Sequence, residues 1–320
     1  MCSVLKYVLK TATSTRSAAM PLSFSMSKGN AIGRQDAFRK DNRGIPGVFR
    51  RRTEPQPWRK LHMKINNLEK FLSKTASGES AAGIVVTSHD AAISELAADC
   101  GFDFVWLDME HSPLTIVDAM HHITALRGTG CAPFVRVAWN LPYLLKPVLD
   151  LAPAAVIVPM VNNACEAEAA VRACRYPADG GERGFAVRRA NGYDRDSLDI
   201  YLEASRREPL VIVQIEHREA VRNIDEILRV EGLGGICIGP CDLSSSYGKT
   251  GRFDDPEVAG AIDRVRERTL EAGILLGGFC AGAFWQNRFM NWKALCTDSG
   301  LLASAARRLL QTHLNHAYAQ

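Results

Sequence analysis

The chain has 320 residues, 47% hydrophobic and 23% charged, ordinary values for a globular protein, and its nine cysteines form no C-x-x-C pair. Its net charge of +4 divides unevenly: residues 1–60 carry thirteen basic and three acidic side chains, a local +10, which leaves −6 on residues 61–320. The mildly acidic body excludes a nucleic-acid-binding composition, the apolar runs fall far short of the roughly 18 residues of a membrane-spanning helix, and scattered cysteines in apolar runs read as free thiols of a reducing compartment.

Residues 1–62 show no sustained hydrophobic period; Ser, Thr, Arg and Pro dominate, and Arg50-Arg51-Arg52 is followed by Pro55 and Pro57. Such a stretch cannot bury enough apolar surface to offset its ordering entropy, so it reads as a disordered basic leader. Its first twenty-six residues are Ser/Thr-rich and lack acids, as in an organellar transit peptide, which would send the protein to a mitochondrial or other matrix. A basic arm for an anionic partner and a mis-assigned start are the other readings. The domain proper is expected over 63–320, beginning at Met63, and a cytoplasmic location follows if the leader is not an address.

From residue 80 onward, short apolar, β-branched runs alternate with longer segments of helical spacing. In chain order the pattern predicts strand 82–87, helix 90–99, strand 104–108, helix 115–127, strand 134–138, helix 142–151, strand 155–161 and helix 164–174. It continues with strand 210–216, helix 217–230, strand 235–239, helix 256–272, strands 275–280 and 293–296, and helix 301–313. Gly101, Gly128, Gly232 and Gly273 follow helices, and Pro142 and Pro256 start them, the expected asymmetry. Near-continuous apolar strands are buried on both faces, and eight such strands in about 240 residues predict a (βα)8 TIM barrel. A doubly wound sheet is the alternative, but it calls for Gly-x-Gly-x-x-Gly where the chain reads Thr87-Ser88-His89-Asp90.

A barrel enzyme draws its site from the C-terminal ends of its strands. Those ends carry Asp108-Met109-Glu110-His111, Arg136 with Trp139-Asn140, Pro159-Met160, Gln214-Ile215-Glu216 and Gly239-Pro240-Cys241-Asp242. Ionisable groups gathered there are costly to bury unless paired or metal-bound. Glu216 and Asp242 end adjacent strands, and two neighbouring carboxylates repel unless a cation lies between them. Oxygen ligands of this kind suit Mg²⁺ or Mn²⁺, with Co²⁺ also compatible. The plainer readings are a salt bridge from Glu216 to an Arg and a helix N-cap at Asp242. His111 is the natural proton carrier, with Asp108 three residues earlier to orient its imidazole; a loop histidine at a helix start is the plainer reading. Arg136 on an apolar strand calls for an anion. His121 and His122 fall in a helix and read as packing or surface residues. The run Gly180-Gly181-Glu182-Arg183-Gly184 reads as a turn before an anion cradle. After Lys74 only Lys146, Lys249 and Lys293 remain, none at a strand's C-terminal end, so a Schiff-base lysine has no place and a metal must stabilise any carbanion.

Taken in order and spacing, these residues resemble the HpcH/HpaI aldolase/citrate lyase family, in particular its metal-dependent aldolases of 4-hydroxy-2-oxo acids and 2-dehydro-3-deoxy sugar acids. The carriers are Gly101-Phe102-Asp103-Phe104 with Asp108-Met109-Glu110-His111, Val135-Arg136-Val137-Ala138-Trp139-Asn140, Val158-Pro159-Met160-Val161 and Arg175-Tyr176-Pro177. Val213-Gln214-Ile215-Glu216, Ile238-Gly239-Pro240-Cys241-Asp242-Leu243-Ser244 and Thr297-Asp298-Ser299-Gly300-Leu301-Leu302 complete them. The resemblance implies a divalent metal on Glu216 and Asp242 with pyruvate chelating it, Arg136 on the keto or enolate oxygen, and His111 with Asp108 moving the proton of the C4 hydroxyl. Gln214, Gly239, Pro240 and Glu110 would shape the substrate pocket. It further implies reversible retro-aldol cleavage to pyruvate and an aldehyde, and a homo-oligomer, a hexamer or trimer of dimers that exchange the C-terminal helix. Nucleic acid and membrane are not expected partners. Departures are Ala152-Pro153-Ala154-Ala155 where Gly is usual, Leu141 after Asn140, Cys241 for Ala, Cys296 for Gly, and an unfamiliar segment 281–291. An oxaloacetate decarboxylase or CoA-ester lyase on the same scaffold, and a catalytically silent binding barrel, are the rival readings.

Overall fold

A computed structural model describes residues 65–194 and 197–317, with side chains to residue 314; the leader reading of residues 1–62 lies outside the described residues. Eight strands follow in order: β1 (Ala81–Val86), β2 (Phe104–Asp108), β3 (Ala132–Arg136), β4 (Ala155–Val158), β5 (Leu210–Ile215), β6 (Gly235–Ile238), β7 (Leu275–Phe279) and β8 (Trp292–Thr297). Each pairs in parallel with the next, and β8 pairs with β1, closing the expected TIM barrel.

The helices are α1 (Leu68–Ala76), α2 (Ala92–Asp99), α3 (Ile116–Ala125), α4 (Pro142–Asp150), α5 (Ala164–Cys174) and α6 (Leu198–Ser205). They continue with α7 (Arg218–Arg222), α8 (Ile224–Ile227), α9 (Pro240–Ser246), α10 (Pro256–Glu271) and α11 (Asp298–Ala317). The helix expected over 217–230 divides into α7 and α8 at Asn223. The strand expected to run to Val161 stops at Val158, because Met160 adopts φ 54 and leaves the sheet. The unfamiliar segment between β7 and β8 holds only a 3-10 turn, Ala283–Trp285. Arg288 anchors it, forking onto Asp263 at 3.0 Å from both Nε and Nη2 and stacking on Phe284. Among the described residues no helix is long and apolar enough to cross a membrane.

Strand side chains alternate in direction, so every second residue enters the barrel. Phe104 and Trp106, Phe134, Ile157, Ile212, Cys237 and Trp292 fill the interior, while Val105, Leu107, Val135, Val156, Val213 and Ile236 pack outward beneath the helices. The aromatics find room because β1 and β7 carry glycine opposite them: a Cβ on Gly83 would lie 2.3 Å from the Phe104 ring, and one on Gly277 1.9 Å from Trp292. Helix α1 then closes the N-terminal end. Its Leu68 and Phe71 join the interior cluster, with Phe71 edge-on to Phe134 at 5.0 Å and to Phe104 at 6.1 Å. Burial of each side chain contributes roughly 1.5–3 kcal/mol. With that end plugged, the C-terminal ends of the strands form the open face of the barrel interior.

Candidate active site

On the open face, β2 and β3 are registered so that Asp108 lies opposite Arg136. Both side chains are largely buried, and the guanidinium forks onto the carboxylate, Nε donating to Oδ1 at 2.9 Å and Nη2 to Oδ2 at 2.8 Å. Asp108 Oδ1 also accepts the backbone N–H groups of Glu110 (3.1 Å) and His111 (3.2 Å), which fixes the turn leaving β2. Burial raises the Asp108 pKa, and Arg136 with these N–H groups more than reverses it, so the carboxyl stays below its usual range. The second Arg136 amino group, Nη1, stands 2.9 Å from Glu110 Oε2. That oxygen is buried and lies off the donor axis, so it makes no hydrogen bond. Burial, with repulsion from Asp108 and Asp242, pushes Glu110 up to about 7 against the pull of Arg136.

Glu216 follows the end of β5 and is 1% exposed. Among the described residues no Arg pairs with it. Its Oε1 accepts the Met160 N–H at 2.7 Å, and Oε2 accepts from Gln214 Nε2. Met160 presents that N–H from a left-handed backbone conformation that a non-glycine residue adopts at a cost of about 1 kcal/mol or more. Burial raises Glu216 to about 7, with Glu110 and Asp242 adding repulsion. Asp242 is the third residue of α9, inside the helix, so it does not act as its N-cap. Gly239, just before α9, leaves open the space against Glu216: a Cβ there would sit 2.6 Å from Glu216 Oε2.

A divalent cation fits this donor set. Glu216 and Asp242 supply hard oxygen ligands, their mutual repulsion is what a cation relieves, and the missing side chain at Gly239 keeps Glu216 approachable. Among the described residues no three His, Cys, Asp or Glu side chains are gathered to hold an ion by themselves. Two carboxylates suffice where water and substrate oxygens complete the shell, as is usual for Mg²⁺.

His111 is exposed, its Nε2 3.9 Å from Glu110 Oε1 and 4.0 Å from Asp242 Oδ2. Asp108 therefore does not form the expected pair with the imidazole. Both its oxygens are held by Arg136, and it acts on His111 only through the backbone turn. Asp108, His111, Arg136, Gln214, Gly239, Pro240 and Asp242 line one open cavity of about 560 Å³, counting its mouth. Glu110 and Glu216 stand behind its wall. Val85, Trp106, Ile238, Phe279 and Thr297 complete the lining, together with Cys241. Of the residues not foreseen as site members, Trp106 carried a usable signal, since period-two alternation puts it on the same strand face as Asp108; Met160 acts through its backbone and carried none.

Other expectations resolve away from the site. His122 is buried, bonded at Nδ1 to Ser94 Oγ and at Nε2 to the Ser88 carbonyl, a packing role in which burial lowers its pKa. The Gly180–Gly184 run is a tight turn in which a Cβ on Gly181 would lie 1.9 Å from the Arg175 carbonyl. All eight described cysteines are free thiols.

Comparison with known proteins agrees with this fold. The profile of the HpcH/HpaI aldolase/citrate lyase family matches residues 81–307. A 4-hydroxy-2-oxo-heptane-1,7-dioate aldolase from Shigella sonnei is 36% identical over 244 residues, covering 75% of this chain and 92% of the relative. The crystal structure of an HpcH/HpaI aldolase/citrate lyase family protein from Burkholderia cenocepacia superposes with a TM-score of 0.70 at 28% identity, covering 77% of this chain and 98% of that one. The citrate synthase SbnG superposes with a TM-score of 0.69 at 27% identity, covering 79% and 99%.

Proposed function

The chain belongs to the HpcH/HpaI aldolase/citrate lyase family, and from that premise we propose that it is a divalent-metal-dependent pyruvate aldolase that cleaves 4-hydroxy-2-oxo acids to pyruvate and an aldehyde. Its aldolase relatives are carbon–carbon lyases, and the reading extends that class to this site. The observation that carries it is the convergence of Arg136, His111 and Asp242 at one cavity, with the carboxylate of Glu216 behind its wall.

When bound by Glu216 and Asp242, Mg²⁺ or Mn²⁺ supplies Lewis-acid stabilisation of negative charge on the C2 keto oxygen. Arg136 adds to that stabilisation. Asp108 occupies two of its five N–H groups, and the others are left to meet the developing charge in a mostly buried setting. His111 takes the proton of the C4 hydroxyl. The O4 electron pair then forms the aldehyde carbonyl, the C3–C4 pair passes toward C3 and the keto oxygen, and a proton taken up from solvent by C3 yields pyruvate while His111 releases its own to solvent. Glu110 and Asp242, each about 4 Å from Nε2, stabilise the imidazolium so formed. Gln214 fixes Glu216, and the apolar Val85 and Phe279 keep water from the carbon centres.

The domain is taken to span 63–320. It is proposed to assemble as a homo-oligomer through α11, on which Leu301, Leu302, Leu309, Leu310 and Leu314 are all exposed, Leu302 at 73%.

The test couples pyruvate release to lactate dehydrogenase, with the protein stripped by EDTA and then reloaded. Metal-dependent pyruvate release, lost in Glu216→Gln and Asp242→Asn, is expected. Turnover that survives complete metal removal overturns the mechanism, and oxaloacetate decarboxylation without aldol cleavage supports the nearest rival.

A further inference from the structure

One large residue of the cavity wall has no part in the chemistry above. Trp106 lies on β2 two residues before Asp108, points into the barrel, and is 2% exposed. The Arg136 guanidinium carbon stands over its ring, 5.0 Å from the centroid. Among the described residues its indole N–H has no hydrogen-bond partner. Phe or Leu would occupy the floor without leaving a buried donor unpaired. What the indole contributes beyond bulk is the most electron-rich π face among the side chains.

That face supplies a restraint Arg136 otherwise lacks. The hydrogen bonds to Asp108 reach the guanidinium along one edge. Edge contacts of this kind set where the planar fork points within its own plane, and they resist tilting out of that plane weakly. A ring beneath the fork opposes the tilt. Because an oxygen-stabilising donor acts fully only when already aimed at the place where charge develops, a small tilt weakens it.

We propose that Trp106 is a positioning residue for Arg136: its indole face holds the guanidinium flat so that N–H groups not bonded to Asp108 meet the C2 oxygen of the bound 2-oxo acid. The inference rests on the aldolase reading and adds to it a residue specific to how this chain supports its arginine.

The test uses oxalate, a planar dianion that mimics the enolate of pyruvate, titrated calorimetrically into the Mg²⁺-loaded full-length protein. Mn²⁺ affinity is measured separately by electron paramagnetic resonance, and folding by circular dichroism. In Trp106→Leu the oxalate Kd is expected to rise about tenfold or more, in Trp106→Phe about two- to threefold, with Mn²⁺ affinity within twofold in both. An oxalate Kd within twofold of wild type in folded Trp106→Leu overturns the proposal. Should Trp106→Leu not fold, biosynthetic replacement of tryptophan by fluorinated tryptophans weakens the π face at nearly constant shape, and Trp106 is the described tryptophan that stacks under a cation. The Kd is then expected to rise stepwise with fluorine number, and a flat series overturns the proposal. The two readings fail differently: wild-type protein that neither binds oxalate nor releases pyruvate defeats the aldolase reading and this inference with it, whereas wild-type protein that does both while Trp106→Leu binds oxalate normally defeats this inference alone.

Discussion

The sharpest consequence of the site concerns stability without metal. Glu216 is buried among other carboxylates and titrates at about 7 in the fold, against 4.5 ordinarily. Below about pH 4.5 the side chain is protonated folded or unfolded and contributes no penalty. Between 4.5 and 7 the unfolded chain has released the proton and the native state retains it, so stability falls as pH rises. Above 7 the loss is complete, at most about 3 kcal/mol. Glu216→Gln removes it. The replacement can keep the Met160 N–H bond through its carbonyl, and rotation of the Gln214 amide turns a donor–donor contact into a hydrogen bond. In EDTA at pH 8.5 the variant is therefore expected to be more stable than wild type by roughly 1–3 kcal/mol, a rise in Tm of several degrees. Added Mn²⁺ should raise the wild-type Tm and leave the variant unmoved. Scanning calorimetry from pH 6 to 8.5, with EDTA or Mn²⁺, reads all of this. A variant less stable than wild type in EDTA at pH 8.5, or equal stabilisation of both by metal, refutes the assignment of Glu216 as a strained ligand awaiting a cation.

Three further outcomes are expected. His111→Ala should lower aldol cleavage by about 10²-fold or more while leaving Mn²⁺ affinity within twofold, since the imidazole moves a proton and holds no metal; coupled pyruvate assays and Mn²⁺ titration check both. Ala152, just after α4, adopts φ 56, a conformation that glycine takes without strain, so Ala152→Gly should stabilise the fold by roughly 0.5–1 kcal/mol with turnover unchanged, read by chemical denaturation. Leu302→Lys combined with Leu309→Lys should shift the assembly toward smaller species in light scattering without unfolding the barrel, because both side chains are exposed in the single chain.

The barrel was legible because its strands are short, apolar and evenly spaced, and because glycine and proline mark most helix ends. The helices that escaped notice share a reason. The stretch forming α1 adjoins the basic leader and shows its amphipathic purpose only when Leu68 and Phe71 meet the aromatic interior. The α9 sequence, Pro240-Cys241-Asp242-Leu243-Ser244-Ser245-Ser246, is poor in helix formers, and its helix depends on buried Leu243 and Ser244. Residues of α6 sit behind a long glycine- and arginine-rich connection that masked their spacing. In each case tertiary packing outweighs local propensity.

The candidate site divides along a similar line. That Asp108, His111, Arg136, Gln214, Glu216 and Asp242 share one end of the barrel followed from strand counting alone, and one cavity brings all but Glu216 to its wall. Which of them touch did not follow. His111 is three positions after Asp108, and sequence nearness suggested a pair. The turn after β2 instead carries the imidazole toward Glu110 and Asp242, while the parallel register of β2 and β3 sets Asp108 against Arg136, twenty-eight residues away. Register is a property of two strands together, fixed by side chains such as Phe104 and Phe134 that pack at 4.8 Å deeper in the barrel. The pairing of the charged groups at the mouth is thus decided by the apolar layers beneath it, and Trp106 is where the two meet: an interior aromatic by its strand position, and the surface on which the arginine of the site rests.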